Sequence, residues 1–112
     1  MRAKSRNGSI KRQIDLMVKR IVRRFHPEKV ILFGSHARGA AGPDSDVDLL
    51  VVMSVEGEKR HKAVEIGVAL AKVPFPLDII VTTPEDYEWR KEVAGTIERP
   101  AFLEGKVLYA RA

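Results

Sequence analysis

The chain of 112 residues contains no cysteine, which excludes disulfides and thiolate metal sites and suits a reducing compartment. Aromatic residues make up only 6%, with a single tryptophan, Trp89. Long apolar runs are missing as well. The longest, Leu49 to Met53, is far short of the ~20 residues that a membrane-spanning helix needs. The basic start, Met1-Arg2-Ala3-Lys4-Ser5-Arg6-Asn7-Gly8, has no apolar segment behind it and does not read as a signal peptide, so a cytoplasmic location and no membrane association are expected. No internal repeat and no low-complexity segment interrupts the chain.

What remains is an ordinary globular composition, 45% hydrophobic, in a length that suits one domain. The expected organisation is a basic flexible tail over residues 1–8 and a single domain over 9–112. The net charge of +5 is concentrated early, in Arg2, Lys4, Arg6, Lys11, Arg12, Lys19, Arg20, Arg23 and Arg24. The plain reading of those residues is a solvated helix face plus a frayed tail; direct nucleic-acid binding and an acidic protein partner are the alternatives.

Apolar residues at Ile10, Ile14, Met17, Ile21 and Phe25 recur at helical spacing, so a helix is expected from about Ser9 to Phe25, stopping before Pro27. Lys29 to Phe33 reads as a short strand ended by Gly34-Ser35, with a helical turn over Ser35 to Gly39. Asp46 to Met53 is a second strand whose continuous apolar core implies that both of its faces are covered. A helix over Glu58 to Lys72 and a third strand over Leu77 to Val81 follow. Thr83-Pro84-Glu85-Asp86 has the chemistry of a helix start: a Thr cap, Pro in the first helical position and acids in the first turn. That helix is expected to reach about Val93; a helical turn near Ile97 to Leu103 and a small edge strand at Val107 to Tyr109 complete the chain. This order implies an α/β (α+β) domain, a mixed β-sheet with helices packed around it.

Three carboxylates stand out. Asp46 and Asp48 are at i and i+2 of a strand start, so their side chains share a face. Anions that close repel unless a cation compensates them, and hard divalent ions such as Mg²⁺ do so while holding substrate phosphates. Asp78 interrupts the apolar run Leu77-Asp78-Ile79-Ile80-Val81, where an unpaired buried charge would be costly. If the third strand lies beside the second, Asp78 joins the other two. Gly34 permits close backbone approach to an anion, and the Ser35 hydroxyl with the amides after it can donate to phosphate oxygens. Arg38 is a cation that can meet phosphate oxygens by charge-assisted bonds, with solvent exposure or a structural pair as the alternative, whereas His36 reads as a turn filler because carboxylates already suit a hard ion.

Gly34-Ser35, ten residues, then Asp46-Val47-Asp48, with Asp78 as third acid, resembles the signature of the DNA-polymerase-β-type nucleotidyltransferase superfamily. The finer pattern Gly34-Ser35-His36-Ala37-Arg38-Gly39 with Ser45-Asp46-Val47-Asp48-Leu49-Leu50-Val51, and the ending Glu104-Gly105-Lys106-Val107-Leu108-Tyr109, are similar to the minimal nucleotidyltransferases. The resemblance implies that Asp46, Asp48 and Asp78 are catalytic and hold Mg²⁺, with two ions expected, and that Gly34 and Ser35 bind the phosphates of ATP. It also implies transfer of AMP to an acceptor hydroxyl with release of pyrophosphate. Larger relatives carry extra acceptor-binding domains. A small member of this kind is similar to antitoxins that attach AMP to a tyrosine of a HEPN ribonuclease toxin. Two alternatives stand beside this one. The first is a contact-only antitoxin anchored by residues such as Tyr87, Trp89 and Phe102; the second is a homodimeric transferase acting on a small molecule.

Overall fold

The computed structural model describes residues 2–70 and 73–112, with side chains from Ile10 onward. It opens with a long amphipathic helix, α1 (Arg2–Phe25), which ends just before Pro27 as the proline requires. The backbone is already helical at Arg2, ahead of the start near Ser9 that the apolar spacing gives. The reason lies in intrinsic preference. Arg2, Ala3, Lys4 and Arg6 favour a helix, and the one interruption, Gly8, costs only about 1 kcal/mol.

Strand β1 (Lys29–Phe33) leads through a single helical turn, α2 (Ser35–Arg38), into β2 (Val47–Val52). Helix α3 (Lys59–Ala69) then crosses to β3 (Leu77–Thr82). The expected end of α3, at residues 71 and 72, lies outside the described residues. Next come α4 (Pro84–Arg90), α5 (Glu98–Glu104) and β4 (Lys106–Ala110). The start of α4 is built as the sequence indicates, with Thr83 Oγ1 accepting from the Asp86 amide at 3.1 Å. Its end comes earlier than expected. The amides of Glu92 and Val93 bond back three residues, to Trp89 and Arg90, and this tightening closes the helix before Gly95.

The strands form one mixed sheet in the order β3-β2-β1-β4. β1 pairs antiparallel with both β2 and β4, and β2 pairs parallel with β3. A parallel pair needs a crossover of a dozen or more residues, and α3 with its flanking turns supplies it. Because residues alternate along a strand, the sheet buries two separate sets of side chains. Val30, Leu32, Val47, Leu49 and Val51 pack beneath α1 and α3 against Ile14, Met17, Val18, Ile21 and Ile66. Ile31, Phe33, Leu50 and Val52 face the other way, against Tyr87 of α4 and Ala101 of α5. Leu49, Leu50 and Val51 are fully buried, which is why β2 reads as unbroken apolar sequence.

Candidate active site

The face of the sheet that carries Leu50 and Val52 also carries Asp48, two residues nearer the start of β2. Asp48 stands level with Asp78 on the parallel strand β3 and with Phe33 on the antiparallel strand β1. Asp78 shares the side of β3 used by Ile80, so both carboxylates lie on the face covered by α4 and α5. Their alignment is pinned at both ends of the pair. The Val47 amide donates to Pro76 O at 2.9 Å, and the Met53 amide donates to Thr82 O at 2.9 Å. The condition left open by the sequence, that the third strand adjoins the second, is met.

Asp46 is just outside β2, which starts at Val47. It is exposed, as is Asp78, while Asp48 is half-buried between them. Burial pushes the Asp48 carboxyl above its ordinary value, and the negative charges of Asp78 and Asp46 push it further; His36 and Arg38 pull the other way. The charges of Asp78 and Asp46 therefore reach Asp48.

Gly34 closes the site from below. It adopts φ 77° and ψ −156°, a backbone conformation that L side chains rarely take, and a Cβ there would collide with Asp48 Oδ2. The close approach that the structure shows at Gly34 is to a carboxylate of the chain itself. Its carbonyl accepts from the amides of Ala37 and Arg38, each at 3.1 Å, which sets the turn of α2. The amides that begin such a turn have no acceptor inside it and are open to an anion. Ser35, half-buried, is the first residue of α2.

Arg38 is exposed on α2 and lies 3.6 Å from Glu104 of α5. That pairing links two elements and was invisible in the sequence. His36, expected only to fill a turn, reaches Ser45 O at 3.4 Å and ties α2 to the loop before β2. Ser45 Oγ in turn accepts from the Gly42 amide at 2.8 Å, fixing the loop that delivers Asp46.

Among the described residues, no three His, Asp or Glu side chains converge into a ready-made metal cage. Mg²⁺ seldom uses such cages; it takes one or two carboxylates and completes its octahedron with water and substrate phosphates. The oxygen donors here, with the negative charges of Asp78 and Asp46 bearing on half-buried Asp48, fit an ion of that kind.

The comparisons with known proteins agree on one family. The nucleotidyltransferase domain pattern matches residues 14–102. The chain belongs to the nucleotidyltransferase domain family. A Methanocaldococcus jannaschii protein, named as a protein adenylyltransferase, is 32% identical over 83 residues, covering 73% of this chain and 78% of the relative. Among solved structures, a nucleotidyltransferase of Sulfolobus solfataricus superposes with a TM-score of 0.64 at 20% identity, over 89% of this chain and 79% of that one. A toxin–antitoxin structure with AMP-PNP matches with a TM-score of 0.56 at 19% identity, over 87% of this chain and 73% of that one. An MntA-HpeT toxin–antitoxin mutant matches with the same TM-score at 16% identity, over the same shares. At those identities the solved structures carry the fold, and it is the nucleotidyltransferase fold. By the family pattern and the relative at 32% identity, the protein is a nucleotidyltransferase. No helix among the described residues is long and apolar enough to cross a membrane.

Proposed function

We propose that this nucleotidyltransferase is a protein adenylyltransferase. It moves AMP from ATP to a hydroxyl, a tyrosine of a HEPN ribonuclease toxin, and so acts as an antitoxin. The observation that carries the reading is the level placement of Asp48 and Asp78 on adjacent strands, with Gly34 pressed against the first. The relative named as a protein adenylyltransferase supports a protein acceptor, and the toxin–antitoxin neighbours support a toxin partner.

Asp46, Asp48 and Asp78 would hold Mg²⁺, which neutralises charge on the triphosphate and on the entering and leaving oxygens of an in-line displacement. Gly34, Ser35 and the first amides of α2 receive the phosphates. Arg38, on the same short helix, adds positive field. The acceptor oxygen forms a bond to the α-phosphorus while the bond from that phosphorus to the bridging oxygen breaks. Asp78 takes the acceptor proton, and pyrophosphate leaves with the bonding electrons.

The test is to incubate the chain with labelled ATP, Mg²⁺ and the product of the adjacent gene. Label should move to a tyrosine of that product, and Asp48→Asn and Asp78→Asn should each abolish the transfer. No transfer, with Asp48→Asn still neutralising the partner, would leave a contact-only antitoxin. The exposure of Trp89 (55%) and Phe102 (45%) on α4 and α5 favours that second reading.

A further inference from the structure

The outer face of α1 has no part in the transferase reading. Its inner face is committed: Ile14, Met17, Val18 and Ile21 are buried against the sheet. The rest of the helix surface carries Arg12, Lys19, Arg20, Arg23 and Arg24, all exposed. At 100° per residue, Arg12, Lys19 and Arg23 fall within a narrow arc directly opposite the buried stripe, with Arg20 on its flank and Arg24 closer to the buried side. The sole acid of the helix is Asp15, on the flank. Among the described residues, no ion pair within 4 Å involves any of these five cations. Unpaired positive charge of this density, held in register by a helix, attracts a polyanion.

We propose that the outer face of α1 binds a double-stranded nucleic acid through its phosphate backbone. The inference does not depend on the transferase reading. The row from Arg12 to Arg23 runs roughly 16 Å along the helix axis, and Lys19 and Arg23 are about 6 Å apart along it, close to two base-pair steps. Guanidinium groups match phosphate oxygens bidentately. A membrane surface fits poorly, because the apolar side that would insert is already used by the core. An acidic protein fits less well too. The row is a convex ridge with one exposed apolar residue, Leu16, and no aromatic anchor, while protein interfaces concentrate their energy in buried aromatic and arginine anchors. The acids of the transferase site lie on the opposite face of the sheet, so a strand held on α1 does not meet their repulsion.

The experiment is fluorescence anisotropy with labelled DNA and RNA duplexes of equal length and sequence, titrated across a salt series. Binding of either duplex at low salt, with log K falling by about 0.9 per phosphate contact against log salt, supports the proposal. The tighter of the two identifies the source of the phosphates. The variant Arg12→Gln/Lys19→Gln/Arg23→Gln should bind more weakly, with a slope shallower by about three. Arg12→Lys/Arg23→Lys should keep the slope. These side chains point to solvent, so circular dichroism should show both variants folded. Asp48→Asn should bind as wild type does. Failure of both duplexes to bind at low salt overturns the inference, and so does an unchanged slope in the triple variant. Tighter binding of polyglutamate than of either duplex overturns it in favour of an acidic protein partner.

Discussion

Gly34 and Asp48 are fitted to each other: the Asp48 carboxylate occupies the space that a Cβ on Gly34 would need. Gly34→Ala therefore meets two obstacles, the collision and a positive φ of 77°. The substitution should cost about 1–3 kcal/mol of stability and abolish transfer. In a double-mutant cycle, Gly34→Ala/Asp48→Ala should recover part of the stability and none of the activity, since only the collision is relieved. Thermal unfolding of the four proteins checks this; strict additivity would contradict it.

Asp48 should cost the fold stability for the sake of the site. Its folded-state carboxyl is raised by burial and by Asp78 and Asp46. A carboxylate raised on folding destabilises the native state once pH exceeds its unfolded value near 3.8, and the penalty is complete above the raised one. Asp48→Asn should thus melt at a higher temperature than wild type at neutral pH without Mg²⁺. The gain should shrink as pH falls toward 3.8. Calorimetric scans at several pH values decide the point, and a variant less stable than wild type at pH 7 counts against it.

Ligand linkage gives an independent reading of the same acids. ATP with Mg²⁺ at a hundredfold excess over Kd should stabilise wild type by about 2.7 kcal/mol. Removing Mg²⁺ with a chelator, or introducing Asp48→Asn, should erase most of that shift. Equal stabilisation of wild type with and without Mg²⁺ would argue that the carboxylates do not share an ion with the nucleotide.

Lys59 on α3 and Asp86 on α4 meet at 2.6 Å and join two helices from different parts of the chain. The bond from Lys59 holds the Asp86 carboxyl below its ordinary value, with Trp89 Nε1 assisting at 3.3 Å. A carboxyl lowered on folding contributes stability above its unfolded value, which is lost as pH falls through the folded one. The pair is partly solvated, so Lys59→Met should cost no more than about 1 kcal/mol at pH 7. That cost should fade below pH 3.8, as urea unfolding at the two extremes would show.

Thr82 and Glu98 form a buried pair, with the Thr82 hydroxyl donating to Glu98 Oε2 at 2.7 Å. Thr82→Val leaves a buried carboxylate short of a partner and should cost about 1–3 kcal/mol. Replacing both, as in Thr82→Val/Glu98→Leu, should restore most of that loss, because two apolar groups need no bond. A double variant no better than the single one would show that Glu98 answers to a different group.

Much of this architecture could be read from local pattern. β1, β2 and β3 are apolar runs bounded by turn residues, and Thr83-Pro84 marks the start of α4 as plainly as a cap can. Asp48 has the place on β2 that its spacing indicated, whereas Asp46 precedes the strand, beyond the reach of strand alternation. Asp78 was legible only conditionally, since nothing local says which strand lies beside β2; the parallel crossover through α3 decides it. Contacts between distant segments left no sequence signal. Arg38 with Glu104 and Thr82 with Glu98 are ordinary residues until the sheet and α5 bring them together. The reach of α1 back to Arg2 was missed for another reason: apolar periodicity reports the buried face, and the helix outruns it.

β3 is the edge strand of the sheet, so Asp78 stands exposed at that edge with Asp48 one strand inward. A groove enclosed on every side would admit only small molecules. A reactive rim open laterally can instead be approached by something as large as a folded protein, presenting one side chain from beyond the sheet. On the proposed function, size selection at such a rim would come from whatever docks there, and the same chemistry would be redirected by changing the visitor and leaving the carboxylates untouched.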